Sequence, residues 1–395
     1  MENHRAKLDP TVFSIADLKR EAIKKLDKQD KSWAGKNKDS SLPVHTIKRL
    51  TRRETVYYNE GAMDLLTLKE NEEAFNRYKI CPRVFVPVAN MDTTTTLFGQ
   101  TVPLPFGFSP SASHQLAHPD GELATSRAAA KFGIGMCLSA YSNTPLEDVI
   151  AEGIGNPFGI HICMMQDREI AAQIIKRAEA CGYKAVLLSV DTPVLGLRLG
   201  EMRTDFNLPP GLTYPNIVPS EKWGKENPGK IPTLFDNTMD WPSTIAWLKT
   251  QTKLQVWLKG VMTPEDVSLS IRYGADGIII SNHGGRQLDG CPSTLDSLRV
   301  CAPIASGKIP IAVDGGIRRG SDIFKALALG ANFCFLGRVP IWGLAYNGQT
   351  GVELALHILA HEFKNTMALA GCRTLSEISK HHLAVLDSKQ LLCRL

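Results

Sequence analysis

Apolar residues fall along this chain in two rhythms. Over 12–26, Val12, Ile15, Leu18, Ala22 and Leu26 recur at helical spacing with Lys and Glu between them, which predicts one amphipathic helix. The stretch 27–40 is polar and lysine-rich and reads as a linker anchored by Trp33. From about Leu104 the texture changes to short apolar runs at 104–109, 134–139, 158–163, 185–190, 254–259, 277–281, 309–314 and 332–337, each followed by a helix-like segment such as 168–180, 264–273 or 321–329. Continuous apolar strands alternating with helices imply a parallel sheet covered on its outer face. Eight such units predict an α/β fold, a (β/α)8 TIM barrel. The rival is an open doubly wound sheet, which should carry a Gly-x-Gly-x-x-Gly turn after its first strand. No such turn is present, and Gly153-Ile154-Gly155 precedes a strand instead of following one. The segment 207–242, between the fourth and fifth strands, holds seven prolines and little periodicity, and reads as a mobile lid over the catalytic face. The expected organisation is an N-terminal helical and linker extension over 1–55 and a barrel over 56–395.

Composition narrows the class. With 43% hydrophobic and 22% charged residues the chain can build a full core, which excludes disorder and fibrous architectures. No run approaches the roughly 18 apolar residues of a membrane span, and the charged first residues are not followed by an apolar stretch, so a soluble intracellular protein is expected. A net charge of +5 is small and diffuse. It gives no reason to expect nucleic acid or a membrane as partner, and it suits small anionic substrates. Nine cysteines without a Cys-x-x-Cys pair predict reduced thiols, with neither a disulfide framework nor a metal site. His357 and His361 share a helical spacing beside Glu362, but the order is not that of a zinc protease; His381-His382 is expected at the surface.

Barrel enzymes place their chemistry at the C-terminal ends of the strands. Here those ends carry Ser109 and Ser111, Ser139 and Tyr141, His161, Ser189 and Asp191, Lys259, Ser281 with His283 and Arg286, Asp314 with Arg318, and Gly337-Arg338. A structural protein has no reason to end every strand with a donor or an ion, because buried polar groups are costly unless paired. The last two strands offer Asp314-Gly315-Gly316-Ile317-Arg318 and Gly337-Arg338, where glycines let backbone N–H groups approach a phosphate and arginines supply charge-assisted donors. His283 comes directly after a strand with Arg286 three residues on, a base beside a carboxylate clamp, and Asp191 offers the histidine an orienting partner. Lys259 ends an apolar run, where it can face developing negative charge.

From about Tyr57 to the end the sequence resembles the FMN-dependent 2-hydroxy acid oxidase and dehydrogenase family, which includes glycolate and lactate oxidases. The resemblance rests on Tyr57-Tyr58 with Gly61-Ala62, on 117–122, on Val190-Asp191-Thr192-Pro193, on Lys259-Gly260, on the run 281–289 and on Asp314-Gly315-Gly316. It implies FMN as cofactor, a 2-hydroxy acid or related alcohol as substrate, reoxidation by dioxygen or another acceptor with an oxidase favoured over a cytochrome-linked dehydrogenase, and a homotetramer. It also implies His283 as base with Asp191 as its partner, and Arg286, Tyr57 and Arg198 on the substrate carboxylate. Lys259 would face negative charge on the reduced flavin. Asp314, Gly315, Gly316, Arg318, Gly337 and Arg338 would hold the ribityl chain and phosphate, with Pro110, Ser111, Ala112, Ser139, Ser189 and Ser281 lining the rest of the cofactor.

The pattern departs at the end of the third strand. Family members carry Gln, an apolar residue and Tyr where this chain reads His161-Ile162-Cys163, so His161 would take the flavin-facing place and Cys163 would vacate room beside the substrate. Tyr141 stands where glycolate oxidases have Trp. Three functions follow as expectations: oxidation of a small 2-hydroxy acid, oxidation of a bulkier secondary alcohol in specialised metabolism, or flavin binding without turnover. The terminal Cys393-Arg394-Leu395 resembles a peroxisomal address of the Ser-Lys-Leu type, with the cytoplasm as the other location.

Overall fold

A computed structural model describes residues 9–36, 53–218, 235–386 and 391–395. Eight parallel strands close into a barrel: β1 (Phe106–Phe108), β2 (Met136–Ser139), β3 (Phe158–Cys163), β4 (Ala185–Ser189), β5 (Gln255–Val261), β6 (Gly277–Ile280), β7 (Ile311–Asp314) and β8 (Phe333–Leu336). The eight strands expected from the apolar runs are all present, with ends shifted by up to two residues. The helices that cover them are α1 (Gly121–Phe132), α2 (Leu146–Ala151), α3 (Arg168–Cys181), α4 (Trp241–Gln251), α5 (Pro264–Arg272), α6 (Thr294–Ala305), α7 (Gly320–Ala328) and α8 (Arg338–Ala370).

Alternation along the strands separates two cores. Ala185, Leu187, Ile279, Ala312, Phe333 and Phe335 point into the barrel with Trp257, while Val186, Leu188, Ile278, Ile280, Ile311, Val313, Cys334 and Leu336 pack outward under the helices. The barrel floor is closed by a hairpin of Thr95–Leu97 and Gln100–Val102, whose Phe98 meets the Trp257 ring edge-on at 5.2 Å. Two residues further along the inward register, Ser189 follows Leu187, Lys259 follows Trp257, Ser281 follows Ile279 and Asp314 follows Ala312. The same parity that fills the floor with apolar side chains therefore delivers polar ones to the upper rim.

Outside the barrel, three expectations change. The first helix covers Ile15–Lys36 and so continues through most of the stretch read as a linker. Lys and Gln are good helix formers, so a polar composition does not by itself imply irregular backbone. Val12, Ile15, Leu18, Ala22 and Leu26 are buried as the periodicity implied, with the helix packed on α8; residues 37–52 and the side chain of Trp33 lie outside what is described. His382 is buried, not superficial, with Nε2 3.4 Å from the Cys372 sulfur and its ring edge-on to Phe324. Finally, the flanks of the insertion are stitched to the rim. Asn216 donates to Ser142 Oγ at 2.8 Å and accepts from the Leu146 N–H at 2.9 Å, and Arg168 pairs with Asp236 at 2.8 Å. Residues 219–234 of the segment read as a lid lie outside the described residues.

Candidate active site

A cavity of about 790 Å³ opens at the C-terminal end of the barrel, lined by side chains from every barrel strand or the loop after it and by Tyr57 and Tyr58 of the Arg53–Asn59 helix. On one wall, His283 Nδ1 stands 3.3 Å from both carboxylate oxygens of Asp191. His283 holds a left-handed backbone, φ 57, and its N–H donates to Ser281 Oγ at 3.1 Å. A non-glycine residue fixed in that region is a place where strain is tolerated for geometry. Burial pushes the imidazole pKa below its ordinary 6.5, outweighing the Asp191 carboxylate, with Lys259 and Arg198 adding to the depression. Burial pushes Asp191 up, but the adjacent His283 and Lys259 charges win and hold it below its ordinary value. Near neutral pH the pair is thus a free imidazole, Nε2 turned away from an ionised carboxylate: the arrangement of an oriented general base.

Beneath it, Lys259 is buried and donates to Ser281 Oγ at 3.0 Å, with Asp314 Oδ2 3.3 Å away. Burial opposes its charge, yet Asp314 and Asp191 raise its pKa above the ordinary lysine value. Ser109 Oγ donates to the same Asp314 oxygen at 2.9 Å.

Across the cavity, Arg286 Nη1 donates to the Tyr57 carbonyl at 2.5 Å, and its guanidinium lies 5.0 Å from the centre of the Tyr57 ring, which stacks on Phe206. Arg198 Nε donates to the Arg286 carbonyl at 3.2 Å, so the two guanidinium groups share one corner. Sequence reasoning missed the carboxylate that joins them, Glu201; its signal was the i, i+3 spacing from Arg198 on the short helix Leu199–Thr204. It also missed Tyr214, from the insertion, whose ring meets Tyr141 edge-on at 5.4 Å. Cys163 and His161 end β3 as expected, with His161 Nε2 2.9 Å from Ser189 Oγ. Burial, with Lys259 and His283 adding to it, holds the His161 pKa well below 6.5. Burial pushes the Cys163 thiol up to about 11, so it is a neutral filler and not a nucleophile at physiological pH.

Comparison with known proteins decides the family. Residues 46–385 match the family model described as FMN-dependent dehydrogenase. The chain belongs to the FMN-dependent dehydrogenase family. It is 48% identical to oxidase FUB9 of Fusarium oxysporum f. sp. lycopersici, over 97% of this chain and 94% of that protein, and 43% identical to glycolate oxidase of Spinacia oleracea, over 83% and 90%. Among solved structures, mandelate oxidase with benzoyl-formic acid matches with a TM-score of 0.78 at 31% identity, covering 94% of this chain and 98% of that one. The protein is therefore an FMN-dependent oxidoreductase, and its barrel is that of the family.

The residues present fit the cofactor. Asp314 Oδ1 and Arg318 Nε are buried polar atoms without a protein partner, an acceptor and a donor left open beside the cavity. Arg338 donates through Nε to the Tyr58 carbonyl at 2.7 Å, and through its two terminal nitrogens to the carbonyls of Gly284 and Glu60 at 3.0 Å each. Burial, together with Arg286 and Arg318 nearby, pulls its pKa down to about 9, a cation awaiting an anion. Arg318 pairs with Glu72 at 2.8 Å over the Trp342 ring. Gly315 and Gly316 hold φ 93 and 76, and a Cβ on Gly316 would sit 1.8 Å from the Asn71 carbonyl oxygen, so only glycine allows this loop. Gly337 lies at the N-terminus of α8, whose N–H groups face the same end of the cavity. Pro110, Ser111, Ala112 and Ser139 also line the cavity, with Ser111 Oγ donating to the Gly337 carbonyl at 3.3 Å. Among the described residues no group of His, Cys, Asp and Glu is arranged to hold a metal ion; His357 packs against Phe132 instead.

Proposed function

We propose that this protein oxidises 2-hydroxy acids to 2-oxo acids with dioxygen as final acceptor. The observation that carries the reading is the His283–Asp191 pair facing the Arg286–Arg198 corner across one cavity whose floor holds a buried cationic lysine. FMN, when bound, supplies a two-electron acceptor. Two electrons and two protons leave the substrate: the Nε2 of His283 takes one proton, and the other, with the electron pair, would go to the cofactor. Asp191 keeps the Nδ1 proton in place and stabilises the imidazolium that results. Arg286 and Arg198, with Tyr57, hold the carboxylate so that C2 lies over the strand ends. Lys259 would supply a fixed positive charge at the cavity floor beside the cofactor. Asp314, the glycine loop, Arg318, Gly337 and Arg338 would hold the ribityl chain and phosphate. His161, with Pro110, Ser111, Ala112 and Ser139, would line the isoalloxazine end; Ser189 and Ser281, expected there from the sequence, are fully buried behind it, Ser189 against His161 and Ser281 accepting from Lys259.

Two features favour a substrate with a larger apolar arm. Cys163 is small, and the loop bearing Arg198 exposes Val194, Leu195 and Leu197 at or near the mouth of the cavity. Relatives solved with (S)-mandelic acid show that the same barrel accepts an aromatic arm in those proteins. Peroxide release measured with glycolate, lactate, mandelate and a long-chain 2-hydroxy acid tests the reading: the larger acids should have the higher kcat/KM, and peroxide from none of them would overturn it.

The assembly proposed is a homotetramer, as the family resemblance implies, and the location is the peroxisome. Cys393 and Arg394 of the terminal tripeptide lie in an exposed strand, Leu392–Arg394, paired with Leu383–Leu386, so a receptor would have to peel it away. A fluorescent protein fused at the N-terminus reports on this directly: punctate signal that becomes diffuse on deleting the last three residues is expected, and diffuse signal from the intact chain would count against the address.

A further inference from the structure

Both arginines of the corner are claimed by one carboxylate. Glu201 Oε1 accepts from Arg286 Nη2 at 2.8 Å and lies 3.6 Å from Arg198 Nη1, and all three side chains are at most 16% exposed. At that burial the charges are weakly screened, and their sum decides what anion the corner will accept. Two cations and one anion leave a single positive charge.

The position of this carboxylate is tightly held. The helix that carries it packs closely on Arg53–Asn59, where a Cβ on Gly200 would sit 2.8 Å from Val56 Cγ1. The same Arg53–Asn59 helix brings Tyr57, whose carbonyl and ring fix the other side of Arg286. Glu201 therefore cannot leave its arginines by a helix shift without displacing the Tyr57 wall as well. Its neutralising effect on Arg198 is visible in the direction it pushes: burial and Arg286 pull the Arg198 pKa down to about 10, and Glu201 resists them.

We propose that Glu201 is a positioning residue that sets the charge of the substrate corner at one, so that the site selects hydroxy acids bearing a single carboxylate and rejects dicarboxylic ones. The proposal rests on the reading of Arg286 and Arg198 as the carboxylate clamp. A monoanionic substrate meets one net positive charge and is matched. A dianion brings a second negative charge that the single net positive charge does not match, into a corner where the Glu201 carboxylate is already present, and like charges at short range are repelled.

The test uses the FMN-loaded protein and two small unreactive acids, acetate and oxalate, each titrated against the flavin absorbance spectrum to obtain Kd. Glu201→Gln keeps an oxygen that can accept from Arg286 but removes the charge. It should tighten oxalate relative to acetate by about tenfold or more, a shift of roughly 1.4 kcal/mol in the ratio, whereas Glu201→Asp should retain the native ratio. An unchanged ratio in Glu201→Gln, with both acids bound as in the native protein, overturns the proposal. If neither acid perturbs the native flavin spectrum, the clamp reading itself falls and takes the proposal with it. Should Glu201→Gln fail to retain FMN, the native protein decides alone: lactate should exceed tartronate in kcat/KM by at least about tenfold, and equal efficiency overturns the selectivity.

Discussion

Replacing Lys259 with Met probes the most buried charge in the site. Lys259 and Asp314 are 3% and 5% exposed, with 3.3 Å between Nζ and Oδ2. At an effective dielectric of about 20, two unit charges at that separation attract by roughly 5 kcal/mol. Removing one partner leaves the other charged, buried and unpaired, and such changes cost about 3–5 kcal/mol. Ser109 still donates to Asp314 Oδ2, but Oδ1 has no protein partner, so little local compensation is available. The FMN-free Lys259→Met protein should therefore lose about 3–5 kcal/mol in urea unfolding. Adding Asp314→Asn should restore more than half of that, because the uncompensated charge is gone. The native pair also fixes a pH window. The folded lysine has its pKa raised above 10.5, so its stabilisation is complete below that value and is lost only as pH rises through the folded pKa. A loss under about 1 kcal/mol in the single variant, or a double variant equal to the sum of the two singles, would refute the argument that this pair is coupled.

His283→Gln should keep FMN bound and slow flavin reduction by at least about 10²–10⁴-fold, the usual worth of general base catalysis, as stopped-flow absorbance would show. Because the folded His283 pKa is depressed below 6.5, its contribution to stability is complete above 6.5 and is lost as pH falls through the folded value, and kcat/KM should fall in the same acidic window. Cys163→Tyr should shift the ratio of kcat/KM values toward glycolate and lactate and away from a long-chain 2-hydroxy acid, since each apolar CH₂ denied burial costs about 0.8 kcal/mol; an unchanged ratio removes position 163 from specificity. Arg338→Ala should weaken FMN binding at least about tenfold by fluorescence titration while far-UV circular dichroism stays native. Three backbone carbonyls lose their donor in that variant, so the segment carrying Tyr58, Glu60 and Gly284 should also exchange amide hydrogens faster.

The barrel was legible because its signal is short-range: eight apolar runs, with polar residues at or just beyond their ends, report strand position. His283, Asp191, Lys259 and Asp314 were legible for the same reason, as polar residues at or just beyond strand ends. What the sequence hid depends on distant chain meeting distant chain. Glu201 reads locally as one more acid in a helix, and its role appears only when the loop after β6 brings Arg286 against it. His382 looks superficial in a polar pair until Cys372 and Phe324 are placed around it. The lysine-rich continuation of the first helix carried no apolar stripe, and composition there spoke of solvent and not of backbone. Arg338 was expected at a phosphate; that it also ties three carbonyls together, making cofactor site and substrate wall one construction, could not be read from its place beside Gly337.

The central claim is that His283, the arginine corner and FMN together take electrons from the C2–OH of a monocarboxylic acid. Anaerobic mixing of the FMN-loaded protein with 2-hydroxy acids, followed by admission of dioxygen, tests it in one experiment. The flavin absorbance should bleach with a monocarboxylic 2-hydroxy acid, persist with the same acid in His283→Gln, and return in the native protein with one equivalent of peroxide when dioxygen is admitted. Flavin that stays oxidised with every 2-hydroxy acid tried, from glycolate to long-chain and aromatic members, would contradict it.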